Sequence, residues 1–276
     1  MPINYLKQIQ LGEFNANGYR IEPSSSISAI IEGFYLFTTE TKDDTQLIYN
    51  DGFPVLVFLK QQENTILVND GGRSFELKSA WASAGSVKNV YIKYNNTADQ
   101  VLIVRFHPGA FYKLFGLTSN YFRTNPVASF EAIANDNRFD VNSFFNKGSI
   151  DERIAFIEHY IKQSFKPEAT PEILHKTLSF IHKIKGNSTV KELTEDAGVN
   201  YKWLERSFLK NVGLLPKEYI QLQRFLDAYL DLVEATDVDL MRIAVSNGYY
   251  DANHFLKEFK VYTGKTPFEY LRLQSA

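Results

Sequence analysis

Two short stretches of this sequence carry side chains suited to reading the edges of bases: YKWLERSFLK (201–210) and ANHFLKEFK (252–260). On a helix, Leu204 and Phe208 in the first and Phe255 and Phe259 in the second share one side. The opposite sides then hold Lys202, Glu205, Arg206 and Leu209, and Asn253, Leu256, Lys257 and Lys260. These outward types have natural counterparts in the major groove. Arg and Lys donate to guanine O6 and N7, Asn pairs bidentately with adenine, Glu accepts from cytosine N4, and Leu meets the thymine methyl. Lys210 and Lys260, flanking each outer face, suit phosphates rather than bases. A helical bundle whose two pairs merely pack is the competing account of the same pattern.

Other chemistries lack their residues. With no cysteine there is no disulfide, thiolate ligand or cysteine nucleophile. Of five histidines only His107 lies in the strand-rich region, beside Pro108 and Gly109 at a strand end, where a turn role outweighs ligation. His159, His175 and His182 have no pairwise metal-ligand spacing. Gly71-Gly72 reads as a hairpin turn, since no Lys-Ser/Thr and no helix start follow it as a phosphate loop requires. No Gly-x-Ser-x-Gly elbow is present. No catalytic residue, metal or cofactor is therefore expected, and a cupin-like enzyme ranks below a binding module without DNA.

The two stretches sit inside a repeat. Leu204, Phe208, Gly213, Pro216 and Tyr219 recur, at one constant offset, as Phe255, Phe259, Gly264, Pro267 and Tyr270. The first copy opens with a Thr189-x-x-Glu192 capping box and a short helix ending near Gly198. Pro216 then starts a long helix to about Glu234, with Tyr219, Leu222, Phe225, Leu226, Tyr229 and Val233 inward, and Asp239 caps a second short helix ending at Gly248. The unit is helix, glycine turn, helix, used twice. Such a unit holds one helix against a platform with its outer face free for a major groove.

Upstream, the texture is different. PVLVFLK (54–60), TILVND (65–70), VYIKY (90–94) and VLIVRF (101–106) are short, β-branched and aromatic, and turn formers such as Asn50-Asp51-Gly52 and Gly71-Gly72 separate them. They predict an antiparallel β-barrel or sandwich, cupin-like, whose aromatics are core by default and whose interior can enclose a small molecule. Residues 150–165 form a helix with Ile154, Ile157, Ile161 and Phe165 on one face, predicting an interface with a second copy; docking of that face on its own sheets is the alternative. The expected class is α+β in two domains: 1–165 β-rich, 166–170 a linker, 171–276 all-α with two helix-turn-helix units joined by a long helix.

At 276 residues and 44% hydrophobic content, both domains can bury a core. The opening MPINYLKQIQLGEF lacks the succession of a signal peptide, and no stretch approaches a membrane span, so a cytoplasmic chain with no membrane partner is expected. The formal charge of -2 requires any nucleic-acid footprint to be local. Asp227, Asp231, Glu234, Asp237 and Asp239 accordingly gather on the connecting helix and its exit, away from the outward basic residues.

The run from Asp239 to Tyr270, with Ile243-Ala244, Gly248-Tyr249, Asp251, Phe255, Phe259-Lys260, Gly264, Thr266-Pro267 and Tyr270, resembles the signature of the AraC/XylS family of transcription regulators. The upstream copy fits at Leu193, Gly198, Leu204, Arg206, Phe208, Gly213, Pro216, Tyr219 and Arg224. The resemblance implies contact with double-stranded DNA by Lys202, Glu205 and Arg206 in the first unit and Ala252, Asn253, His254, Leu256 and Lys257 in the second. It also implies a small-molecule effector bound by the first half, a homodimer, and contact with RNA polymerase. Thr194, Glu205 and Lys265 depart from the family's usual choices. The first half, through WASAG (81–85) and RFHPGAFYKLFG (105–116), resembles a β-rich module of some of these regulators.

Overall fold

A computed structural model of the chain describes residues 1–14, 18–38, 45–95, 100–118, 120–134, 139–165 and 171–274; the expected linker, 166–170, lies outside them. The first half contains helix α1 (Ile3–Leu11), then strands β1 (Gly18–Ile21), β2 (Ile31–Phe37), β3 (Gln46–Leu47), β4 (Val55–Leu59), β5 (Thr65–Asp70), β6 (Arg73–Lys78), β7 (Ala80–Ser83), β8 (Val90–Tyr94) and β9 (Val101–Phe106). Short helices α2 (Phe111–Leu114), α3 (Tyr121–Thr124), α4 (Phe130–Ile133) and α5 (Val141–Phe145), strand β10 (Val127–Ser129) and the longer α6 (Ile150–Ser164) complete it. The second half is α7 (Glu172–Lys183), α8 (Val190–Ala197), α9 (Tyr201–Val212), α10 (Pro216–Glu234), α11 (Leu240–Ser246), α12 (Ala252–Thr263) and α13 (Pro267–Gln274).

The strands form two antiparallel sheets, ordered β1-β2-β9-β4-β7-β10 and β3-β8-β5-β6. The four strands expected from β-branched runs are all present, and Gly71-Gly72 closes the β5–β6 hairpin with Asp70 opposite Arg73. Alternation along β4 and β9 sends Val55, Val57, Val101 and Ile103 into the space between the sheets, with Ile66, Val68, Val90 and Ile92 facing them. The intervening residues Leu56, Phe58, Leu102 and Val104 fall on the other face, in a second apolar cluster with α2, α4, α5 and α6. The six-stranded sheet is thus buried on both faces, which explains why β9 is buried along its whole length.

Helix α6 corrects an expectation. Ser149 caps it with a full capping box, and Ile154, Ile157 and Ile161 are buried in the cluster that holds Phe34, Phe58 and Phe106. Its apolar face is therefore covered within the chain, and a second copy would have to displace that packing to reach it. Periodicity had marked a buried face without saying what buries it.

The two halves share one core. Tyr49, Val90 and Trp81 of the sandwich belong to the same cluster as Phe208, Tyr219, Phe225 and Phe259. The Tyr49 hydroxyl donates to the Leu222 carbonyl (2.7 Å), and its ring meets Phe225 (5.3 Å) and Tyr262 (5.5 Å). The Gln223 side-chain amide donates to the Asp51 carbonyl, and Arg123 pairs with Glu218 at 2.6 Å. Asn50-Asp51-Gly52, read as a turn former, is buried at this joint. Asp51 accepts from Arg105 (2.5 Å) and Gln10 (2.7 Å), and a Cβ at position 52 would overlap the Tyr219 ring.

Candidate nucleic-acid interface

Each helix-turn-helix unit is fixed by local chemistry legible in its sequence. Thr189 and Glu192 close their capping box reciprocally, Thr189 N–H to Glu192 Oε2 at 2.7 Å and Glu192 N–H to Thr189 Oγ1 at 3.3 Å. Asn200 then caps α9, accepting from the Trp203 N–H at 2.9 Å. In the second unit Asp239 caps α11 and Asp251 caps α12, accepting from the His254 N–H at 2.7 Å. Asn200 and Asp251 occupy equivalent places in the repeat, so both outward helices begin on an Asx cap. The turn before α12 is tied to α10 by Asn247, whose amide donates to Asp231 at 2.6 Å.

Beneath these helices Leu204, Phe208 and Val212 of α9 and Phe255, Phe259 and Tyr262 of α12 are buried against α10. Above them Lys202, Arg206 and Lys210 stand exposed on α9, with Glu205 and Leu209 half-buried beside them. On α12, Asn253, His254, Lys257 and Lys260 are exposed, and Ala252 and Leu256 are half-buried. The expected residues of each unit thus share one outer surface.

Sequence reasoning missed Tyr250, which is 90% exposed and immediately precedes the Asp251 cap. Its neighbour Tyr249 is buried, donates to Glu258 at 2.9 Å and lies under the Arg224 guanidinium at 4.8 Å. An adjacent Tyr pair on a turn offered a signal, since only one of the two can face the core. The departures from the family pattern acquire reasons as well. The Thr194 hydroxyl donates to the Lys191 carbonyl at 2.7 Å, satisfying itself within its own helix. Lys265 lies 5.6 Å over the ring of Tyr91, so this cation meets the β-rich half.

The helices end alike. Gly213 (φ 73) and Gly264 (φ 70) adopt the left-handed conformation that stops α9 and α12. Each also receives a side chain of the first half. A Cβ at 213 would overlap the Tyr112 hydroxyl, and one at 264 would overlap the Asn89 amide. Around Gly264 the Asn89 N–H donates to the Tyr262 carbonyl (2.7 Å) and the Tyr91 hydroxyl to the Thr263 carbonyl (2.5 Å).

Two concave sites adjoin this arrangement. A groove of about 520 Å³ runs along α9, lined by Lys202, Trp203, Arg206 and Lys210 and, from the first half, Lys113. A cleft of about 370 Å³ lies between the halves, lined by Phe14, Arg20, Glu32, Tyr35, Phe53 and Arg105 together with His182 of α7. In that cleft Tyr35 donates to Glu32 at 2.9 Å, and the Arg105 guanidinium lies 4.1 Å over Phe53. Among the described residues no group of three or more His, Asp or Glu side chains is placed to hold a metal ion, and no helix is long and apolar enough to cross a membrane.

His182 Nε2 lies 2.7 Å from the Tyr219 hydroxyl. Burial lowers its pKa from the ordinary 6.5, with Asp51 opposing the shift and Arg105 adding to it. Below pH 6.5 the unfolded chain takes up a proton that the folded chain resists, so stability falls with falling pH. His107 is also lowered by burial and acts in the same sense. The thermal midpoint is therefore expected to drop between pH 7 and 5, and to drop less steeply in His182→Gln. Equal slopes in the two proteins would remove His182 from the account.

In sequence, residues 193–273 match the family described as a helix-turn-helix domain, and residues 19–127 match a family described as a domain of unknown function, DUF6597. No curated protein matches the chain. Among solved structures, ToxT from Vibrio cholerae is similar over 87% of this chain and 98% of its own, at 14% identity and a TM-score of 0.45. The C-terminal domain of the two-component response regulator yesN from Fusobacterium nucleatum covers 35% of this chain and 95% of its own, at 27% identity and a TM-score of 0.33. That of AraT, a response regulator from Geobacillus stearothermophilus, covers 38% and 88%, at 22% identity and a TM-score of 0.35. The helix-turn-helix match runs from α8 to α13 and takes in both glycine-ended units, so the C-terminal part of the chain carries a helix-turn-helix domain.

Proposed function

We propose that this chain is a sequence-specific transcription regulator in which residues 171–276 read duplex DNA and residues 1–165 sense a small-molecule effector. The observation that carries the reading is the pair of capped helices, α9 and α12, each keeping an exposed polar row over a buried apolar one. In this reading Lys202, Glu205 and Arg206 meet one base cluster, and Ala252, Asn253, His254, Leu256 and Lys257 meet another. Lys210 and Lys260 meet phosphates. The effector part is supported by the cleft between the halves, because an occupant touching Phe53 and Arg105 on one side and His182 on the other would contact both domains. No catalytic step belongs to it. Work on chromosomal DNA places the protein in the cytoplasm, and contact with RNA polymerase and with a second copy belongs to the same reading, the latter through a surface other than the buried face of α6.

Selection of bound sites from random DNA by the purified full chain tests it. Two enriched clusters about 10 bp apart are expected, one helical turn along the duplex. Arg206→Ala should cost about 1–3 kcal/mol and relax preference at one cluster, and Lys257→Ala should do the same at the other. No enriched motif, or folded variants that keep the parent's motif and affinity, would leave the repeat as packing alone.

A further inference from the structure

The groove beside α9 is not built by the DNA-binding domain alone. Lys202, Arg206 and Lys210 recur every four residues and form one wall, and Lys113, from α2 of the β-rich half, belongs to the same groove. Four cations therefore line one depression of about 520 Å³. In a chain of formal charge -2 this is a marked local concentration of positive charge. Asn200, Ser207 and Asn211 add hydrogen-bonding side chains, and Trp203 adds an apolar floor. The position of Lys113 is fixed from below, because the preceding residue, Tyr112, is buried and seats its hydroxyl against Gly213 at the end of α9.

A duplex with α9 in its major groove presents a phosphate strand along each side of that helix. The Lys202, Arg206 and Lys210 row borders the depression that Lys113 also lines, so a strand running beside that row would pass over a depression that carries Lys113 as well. We propose that Lys113 is a phosphate contact, so that the β-rich half itself touches DNA while α9 reads bases. This rests on the DNA-binding reading above and adds to it that the effector-sensing half contributes directly to affinity, without contributing to sequence preference.

The test uses the full chain and the site that it selects, with affinity measured across a salt series for the parent, Lys113→Ala and Lys113→Arg. Each phosphate contact contributes about 0.9 to the slope of log affinity against log salt, through counterion release. Lys113→Ala is expected to flatten the slope by about that amount and to weaken binding about eightfold at 0.1 M salt. The loss should be equal on cognate and unrelated sequences, the enriched motif should stay unchanged, and Lys113→Arg should restore both slope and affinity. Circular dichroism and the thermal midpoint check that Lys113→Ala remains folded. Should it fail to fold, Lys113→Met, which keeps the aliphatic stem, carries the measurement.

A folded variant with the parent's slope and affinity overturns the proposal while leaving the DNA-binding reading intact. So does a changed motif, which would make Lys113 a base or shape reader. If DNA binding is untouched and saturable binding of inorganic tripolyphosphate to the DNA-free protein is lost, the groove is a small-anion site and the proposal again falls. A parent protein that binds no DNA at all would remove both readings together.

Discussion

Asp51→Ala is expected to destabilise the protein by about 3–5 kcal/mol, the cost of leaving a buried cation without its partner. Asp51 is fully buried and pairs with Arg105 at 2.5 Å, itself 3% exposed. Without that carboxylate the nearest acid is Glu32, 3.7 Å from Arg105 Nε. Gln10 and the Phe53 N–H also lose an acceptor. The sign of a second measurement separates the ion pair from mere packing. Asp51→Ala combined with Arg105→Met removes both charges and should recover much of the loss, since exchanging a buried pair for apolar groups is often close to neutral. Denaturant unfolding of the three proteins provides the numbers. A single-variant loss below about 1 kcal/mol, or a double variant no better than the single, would contradict this account.

Phe208→Ala and Phe255→Ala should each cost about 3–5 kcal/mol, because both rings are fully buried and the space they leave cannot collapse between α9 or α12 and α10. The loss should also be felt in the other half. Phe208 and Phe255 belong to the cluster that includes Trp81 and Val90 of the sandwich, so the chain is expected to unfold in one transition. The chain's two tryptophans make this measurable, Trp81 inside the sandwich and Trp203 on α9. Fluorescence of a Trp203→Phe background, reporting Trp81, should follow the same denaturant curve as the parent and shift with Phe255→Ala. A Trp81 signal indifferent to Phe255→Ala would mean two independently folding halves.

What was legible in the sequence is what short-range chemistry controls. The capping box at Thr189, proline at the start of α10 and the Asp239 cap are each decided within four residues, and they bound the helices as read. The β-branched runs likewise announced β4, β5, β8 and β9. Pairing was not legible. Nothing near Asn50-Asp51-Gly52 distinguishes a solvent-exposed turn from a buried joint, because the partners that bury it, Tyr219 and Gln223, are remote in sequence. Helix α1 escaped notice, since its apolar side is short and Ile3, Tyr5 and Leu6 gather at one end. For the candidate DNA-reading residues, spacing told which side of the helix they occupy, but the cation at Lys113 could not be associated with them before the fold brought α2 to α9.

The seating of Tyr112 on Gly213 and of Asn89 on Gly264 also bears on how the chain tolerates changes in length. Helix α10 spans 19 residues between the two units, and on its own an insertion in its solvent side would look harmless. One added residue, however, turns everything beyond it by about 100° and advances it by about 1.5 Å. Gly264 would then leave Asn89 while Gly213 stayed on Tyr112, and no bend within a continuous helix can restore both contacts. The length of α10 is thus dictated by a body outside it: insertions and deletions that surface loops elsewhere in the chain could absorb are excluded from this helix unless the loop carrying Asn89 changes in step.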